Sequence, residues 1–265
     1  MRDFSHHIYH HLIIRLRQSG YAFQTLASFI DAPLPRSVIL RHDIDITATP
    51  ALRLANLEKQ HYVSGSYYFR TTKFSYRPQI ISEIARLGHE IGYHYEDLTR
   101  NYGNMDIAIK DFEKNLSIFR EIYPVRTVCM HGRSGSPYDN RDIWKTANLS
   151  DFDLIAEPYI SLDFDKVLYL TDTTQKWGGD KIALRDRVQS SLNLSFRSTK
   201  DILDNIDKLP EQVMITIHPE LCAQSLPGWL LAKLFVITHG AYKRYFRNPK
   251  TKNRIQQLST KDPYE

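Results

Sequence analysis

Apolar residues in this chain fall into two alternating arrangements: short continuous runs, and stretches spaced by three and four residues. The first kind reads as buried strands and the second as helices with one inward face, which together predict βαβ units and an α/β fold with a parallel sheet or barrel. A helical pattern spans residues 4–19. Val38 to His42 follows as a strand, and Thr49-Pro50 opens a helix that turns Leu54 and Leu57 inward. "SGSYYFR" is the next strand, and Pro78 starts a helix carrying Ile80, Ile81, Ile84 and Leu87 that Gly88 stops. "HEIGYHYE" is a strand leading to His94 and Glu96; Ile109, Phe112, Leu116 and Phe119 mark the helix after it. "RTVCMHG", "DLIAEPYIS", "KVLYLTDTT" and "QVMITIHPE" are further strands, the last preceded by a helix with Ile202, Ile206 and Leu209.

Five of these runs end on a group with chemistry: Asp43, His94, His131, Asp172 and His218. The C-terminal strand ends of a parallel α/β fold open onto one face, so these groups can meet in one cleft. The densest stretch is "SVILRHDID", where Arg41, His42, Asp43 and Asp45 follow an apolar run within five residues. Carboxylates and an imidazole at the end of a buried strand cost desolvation energy unless they are paired, hydrogen-bonded or bound to a cation.

Composition adds little against this picture. With 265 residues, 42% of them hydrophobic, the chain can build one large core. No linker, low-complexity segment or repeat divides it. The organisation expected is a helical segment over 1–36, the α/β body over 37–225, and an apolar helix with a basic tail over 226–265, packed on or next to the body. The formal net charge of +5 is modest and uneven, since six of the twelve residues in "KRYFRNPKTKNR" (243–254) are Lys or Arg. Neither a nucleic-acid motif nor a basic stripe runs through the folded region, so no nucleic-acid role is expected. Cys129 and Cys222 are too few and too far apart for a disulfide framework or a zinc knuckle. The N-terminus lacks an apolar core with a cleavage site, which points to the cytoplasm. "LPGWLLAKLFVITHG" is too short to span a bilayer and Lys233 interrupts it. A packed helix is the plain reading; the alternative is peripheral contact with the inner face of a membrane through residues 226–254. His6, His7, His10 and His11 read as surface histidines, and His89 lies at the wrong end of its strand for the cleft.

A carboxylate and two imidazoles around a divalent cation, with a second carboxylate as base and a separate histidine as acid, form a hydrolytic arrangement. Asp43, Asp45, His94 and His218 supply its parts. A G-x-S-x-G elbow, a glycine-rich phosphate loop and a dinucleotide fingerprint are all missing from the sequence.

"VILRHDID", "LGHEIGYHYEDL", "MHGRSGSPYDN" and "MITIHPE", in this order, resemble the polysaccharide deacetylases, the family-four carbohydrate esterases with the chitooligosaccharide deacetylase fold. The resemblance covers roughly residues 37–220 and is nearest to the cytoplasmic His-Asp-x-Asp branch among surface-polysaccharide biosynthesis proteins. It implies a distorted (β/α) barrel of about seven units with parallel strands, and metal-dependent hydrolysis of an N-acetyl or O-acetyl group on a sugar, nucleotide sugar or lipid-linked glycan. By position, Asp43 matches the family's base and His218 its catalytic acid. The family's second aspartate falls on Ile44 or Asp45; isoleucine cannot ligate, so Asp45 is the expected metal ligand, with the roles of the two aspartates interchangeable. His94 matches the first metal histidine, whereas the second falls on Leu98. Glu96 or His131 is then the third ligand, His131 being preferred, and zinc the expected metal, with cobalt or nickel as alternatives. An arginine that orients the base is Arg133 or Arg41. Asp172, Trp177, Tyr138 and Glu96 are expected to border the substrate, Trp177 as a stacking platform or as core. Two rival readings remain at this level: a metal-free C–N hydrolase on the same fold, and a non-catalytic glycan or membrane-associated assembly protein. Oligomeric state is not legible.

Overall fold

A computed structural model of the chain describes residues 2–133, 135–177, 188–192 and 194–247. Seven strands form one sheet: β1 (Ala22–Gln24), β2 (Ser37–Ile44), β3 (Ser66–Phe69), β4 (Glu90–Tyr95), β5 (Val128–Met130), β6 (Val167–Thr171) and β7 (Gln212–Ile217). The order is β5-β4-β3-β2-β7-β6, with β1 pairing the first residues of β2, and every pairing is parallel. Helices α1 (His6–Gln18), α2 (Leu26–Asp31), α3 (Thr49–Gln60), α4 (Pro78–Arg86), α5 (Asp97–Arg100), α6 (Met105–Arg120), α7 (Pro158–Ser161), α8 (Thr199–Asp204) and α9 (Leu226–Arg247) complete the described secondary structure, with short 3-10 turns between them.

Local sequence accounts for most of these boundaries. Pro78 occupies the first turn of α4, where its missing N–H is no loss, and Gly88 after that helix holds φ +95, a conformation that favours glycine. Asn104 caps α6 by accepting from Ile107 N, and Phe112, Leu116 and Phe119 bury its inner face. Two expectations need correction. Residues 22–24 add a strand to a segment expected to be helical, and "DLIAEPYIS" is no full strand: Ala156 makes one bridge to Thr127 before Pro158 starts α7. Pro158 has no N–H to donate to a ladder, which ends the extended run there.

Alternation along β2 sorts the fold into an outside and an inside. Val38 and Leu40 face outward into a core closed by α1 and α8, while Ile39 joins Tyr68, Cys129, Val167 and Met214 inside. A third core, built on Tyr93, Tyr95 and Phe112, packs α4 and α6 against the outer face of β3 to β5. Leu98, at the family's second histidine position, is 3% exposed and belongs to that outer core. The inner face carries Arg41, Asp43, His94 and Thr216 in the next rows toward the C-terminal strand ends. In a flat sheet the ends of β5 and β7, four strands apart, would lie roughly 19 Å from each other. His131 after β5 and His218 after β7 instead reach one side chain, Asp45, at 3.6 and 3.9 Å. The sheet is therefore curved into a half-barrel, and among the described residues its edge strands β5 and β6 do not pair.

Candidate active site

β2 delivers Arg41, His42 and Asp43 to two different sides. His42 points outward, where its Nε2 lies 2.8 Å from Glu58 of α3, and the hydroxyls of Tyr9 and Tyr67 donate to the same carboxylate. His42 thus belongs to a buried structural network outside the cleft. Arg41 and Asp43, two residues apart, share the inner face and pair with each other: Nε donates to Oδ1 at 2.8 Å and Nη2 to Oδ2 at 2.5 Å. Both are 2% exposed or less. Burial works against charge on Asp43, and the Arg41 guanidinium outweighs it, holding the carboxyl below the usual range. The arginine that orients Asp43 is thus Arg41; Arg133 sits exposed in the loop after β5.

Asp45, just past β2, stands at the centre of the strand ends. Its Oδ1 lies 3.3 Å from His94 Nε2 and 3.6 Å from His131 Nε2, and Oδ2 lies 3.9 Å from His218 Nε2. Each imidazole is fixed from behind. His94 Nδ1 donates to the Cys129 carbonyl at 2.9 Å, His131 Nδ1 to Glu96 Oε2 at 3.0 Å, and His218 Nδ1 to Asp172 Oδ1 at 2.6 Å. These acceptors take the Nδ1–H, which turns Nε2 of His94 and His131 toward Asp45. Burial lowers the His94 pKa, and the Asp43 and Asp45 carboxylates more than offset it, so the position between these groups calls for a positive charge. Asp45 Oδ1 is itself buried and makes no hydrogen bond. A carboxylate oxygen and two imidazole nitrogens at these separations need a proton or a cation between them, and one oxygen with two imidazole nitrogens suits a borderline divalent ion. The residues present therefore fit a metal. Among the described residues, the group whose donor atoms all lie within 4.8 Å of one another is a different one, Asp43, His94 and Cys129. That grouping is the poorer one, because Asp43 is already committed to Arg41 and the His94 nitrogen nearest Cys129 is spent on its carbonyl.

Three of the four residues expected at the substrate, Glu96, Asp172 and Trp177, have other places. Glu96 is buried behind His131 and is gripped by Arg70, whose Nε and Nη2 donate to Oε1 at 3.2 and 2.7 Å. Burial alone would raise its pKa; His131 and Arg70 pull it down to about 2, so it is a charged anchor for the His131 ring. Asp172 is buried too, and it holds His218 through the ring and through the backbone N–H at 3.0 Å. Trp177 is 3% exposed, donates to Thr199 Oγ1 and stacks on Phe4 with 5.7 Å between ring centroids; it is core, not a sugar platform. Tyr138 is exposed and lies over Gly103, where a Cβ would come within 2.3 Å of its ring.

Three residues not singled out in the sequence complete the scaffold. Arg70, ending the "SYYFR" run, also donates to the Asp45 carbonyl at 2.8 Å, so one side chain links the ends of β2 and β4. Asn140 donates to the His131 carbonyl and accepts from Thr99 N, tying the loop after β5 to α5. Glu220 accepts from Ile46 N at 2.7 Å and Thr47 N at 3.0 Å, which joins the turn after His218 to the turn after Asp45. Burial and then the nearby Asp45 charge raise Glu220 to about 7. His89, as expected, is structural: Nδ1 accepts from Gly65 N and Nε2 donates to the Ala55 carbonyl.

No family model matches the chain, and no curated protein matches it. Among solved structures it is similar to a CE4 esterase from Streptococcus mutans, at 16% identity over 88% of this chain and 90% of that one, with a TM-score of 0.44. A polysaccharide deacetylase from Bacillus cereus matches at 14% identity over 78% and 89%, with a TM-score of 0.43. A CE4 family pseudoenzyme from Bacillus anthracis matches at 16% identity over 78% and 63%, with a TM-score of 0.39. Likenesses at this level leave the chemistry to be argued from the site itself.

Proposed function

We propose that the chain is a metal-dependent hydrolase that removes an acetyl group, N-linked or O-linked, from a sugar, and that it acts in the cytoplasm on a nucleotide sugar, a lipid-linked glycan intermediate or a small glycoside. The observation that carries this reading is the unsatisfied Asp45 carboxylate facing the Nε2 atoms of His94 and His131, flanked by an Arg41–Asp43 pair and a His218–Asp172 pair. Asp45, His94 and His131 would hold the metal, zinc being the first choice and cobalt or nickel the alternatives. When bound, such a cation supplies Lewis acidity toward a water and toward the oxygen of the scissile carbonyl.

The other roles belong to this chain's own groups. Asp43 accepts the proton of the attacking water; Arg41 fixes both of its oxygens and keeps it ionised. His218 donates a proton to the departing nitrogen or oxygen. Burial disfavours the imidazolium at His218, but Asp172 more than compensates and lifts it well above the ordinary histidine range, so it is charged and ready to donate at neutral pH. Asp172→Asn removes the partner that raises this pKa. The descending, alkaline limb of the kcat/KM profile is then expected to move to lower pH. A profile measured on the variant that keeps its alkaline limb in place would remove His218 from the role of acid.

The reading is tested by acetate release from an N-acetylated amino sugar before chelation, after it, and after readdition of zinc, cobalt or nickel. Activity lost on chelation and restored by metal is the expected result. Activity that persists through chelation favours the metal-free hydrolase. No release before or after metal addition leaves the non-catalytic protein.

A further inference from the structure

α9 begins four residues after the turn that follows His218, and it packs against that turn and against the one that follows Asp172. Its inward side holds Trp229, whose indole donates to the Asp3 carbonyl at 2.8 Å, and the buried Ala232. The opposite side is apolar and in solvent. Leu226, Leu230, Leu231, Leu234 and Ile237 are 47, 54, 66, 57 and 63% exposed. At 3.6 residues per turn these five side chains fall within one arc of about 140°. Scattered exposed leucines need no explanation, but a contiguous ridge of them on one helix does. Among the described residues no helix is long and apolar enough to cross a membrane, so the ridge does not mark a span.

The sequence says what covers it. Directly after the ridge come Lys243, Arg244, Arg247, Lys250, Lys252 and Arg254, with no acidic residue between Lys243 and Arg254. Apolar residues along one helix face followed by a basic run suit an anionic bilayer surface, where the leucines enter the headgroup boundary and each cation gains by its proximity to lipid phosphate.

We propose that the outward face of α9 seats the protein on an anionic lipid surface, with the Asp45–His218 cleft held beside that surface. A further consequence rests on the deacetylase reading above: the acetylated sugar is met as the head group of a lipid-carried glycan.

The test is sedimentation of the full chain with vesicles of phosphatidylcholine alone and of phosphatidylcholine mixed with phosphatidylglycerol. Leu230→Ser/Leu234→Ser is run beside wild type, its fold checked by circular dichroism; both positions are exposed, so the fold is expected to be kept. Wild type is expected to bind the mixed vesicles about tenfold or more tightly than neutral ones, and the double variant to lose about tenfold or more. Wild type left in the supernatant, or a variant that sediments like wild type, overturns the proposal. So does a wild-type dimer without lipid that becomes a monomer in the variant, since the face then belongs to a second copy. Acetate release from an N-acetylglucosaminyl glycolipid in the mixed vesicles, compared with the soluble methyl glycoside, tests the substrate. Preference for the glycolipid that disappears in the variant is expected, and equal release from both excludes lipid carriage. Release from neither refutes the deacetylase reading while vesicle sedimentation still decides the surface.

Discussion

Asp43→Asn is expected to lower turnover by about 10²- to 10⁴-fold, the contribution of a positioned general base. The substitution keeps the shape of the side chain and leaves Asp45, His94 and His131 in place, so metal content stays near that of wild type. Its amide can still accept from one nitrogen of Arg41, but its NH2 group opposes the other, so some thermal stability is lost with the activity. Measuring turnover, metal content and circular dichroism on the same preparation separates the two effects. A folded, metal-loaded Asp43→Asn protein with near-wild-type turnover would show that the base lies elsewhere, with Asp45 the first candidate for the exchanged role.

The second large effect is on stability. Arg41 and Asp43 form a buried pair with both carboxylate oxygens engaged, and the guanidinium also lies 4.9 Å from the centre of the Tyr159 ring. Breaking such a pair by removing one partner leaves a buried charge uncompensated and costs about 3–5 kcal/mol. Arg41→Ala is therefore expected to lower the thermal midpoint by roughly 10 °C for a chain of this size. Removing both charges together removes the imbalance, so Arg41→Met/Asp43→Leu should recover much of that loss while remaining inactive. Thermal unfolding of the single and double variants tests this directly. An Arg41→Ala protein as stable as wild type would mean that Asp43 is satisfied by something other than the arginine.

What the sequence made legible was the place of the site rather than the division of labour within it. Asp43, His94, His131, Asp172 and His218 were brought together by one rule, that parallel strands open at one end, and the curvature of the sheet delivers them to a common centre. Their roles depend on cross-strand neighbours that no spacing reveals. Asp172 and Glu96 read as substrate-facing carboxylates because they end strands, but each is taken by the histidine of an adjacent strand end, His218 and His131. Trp177 is claimed by Phe4, more than a hundred residues away in the chain. Other misses had a local signal. Arg41 and Asp43 are two apart on a strand, which puts them on one face, and that alone favours Arg41 over Arg133 as the partner of the base. The same period sends His42 to the opposite side, to Glu58. Leu98 is apolar where a ligand was expected because α5 turns it into the outer core, and His131 from the next strand occupies the position facing Asp45.

In the function proposed above, Asp45, His94 and His131 enclose a cation. That enclosure is tested most directly by the metal content of protein purified without a histidine tag or chelator, wild type beside His94→Ala. About one equivalent of a divalent transition metal in wild type, lost in His94→Ala, is the predicted result. No metal in either protein, even after dialysis against zinc, cobalt or nickel, would contradict it.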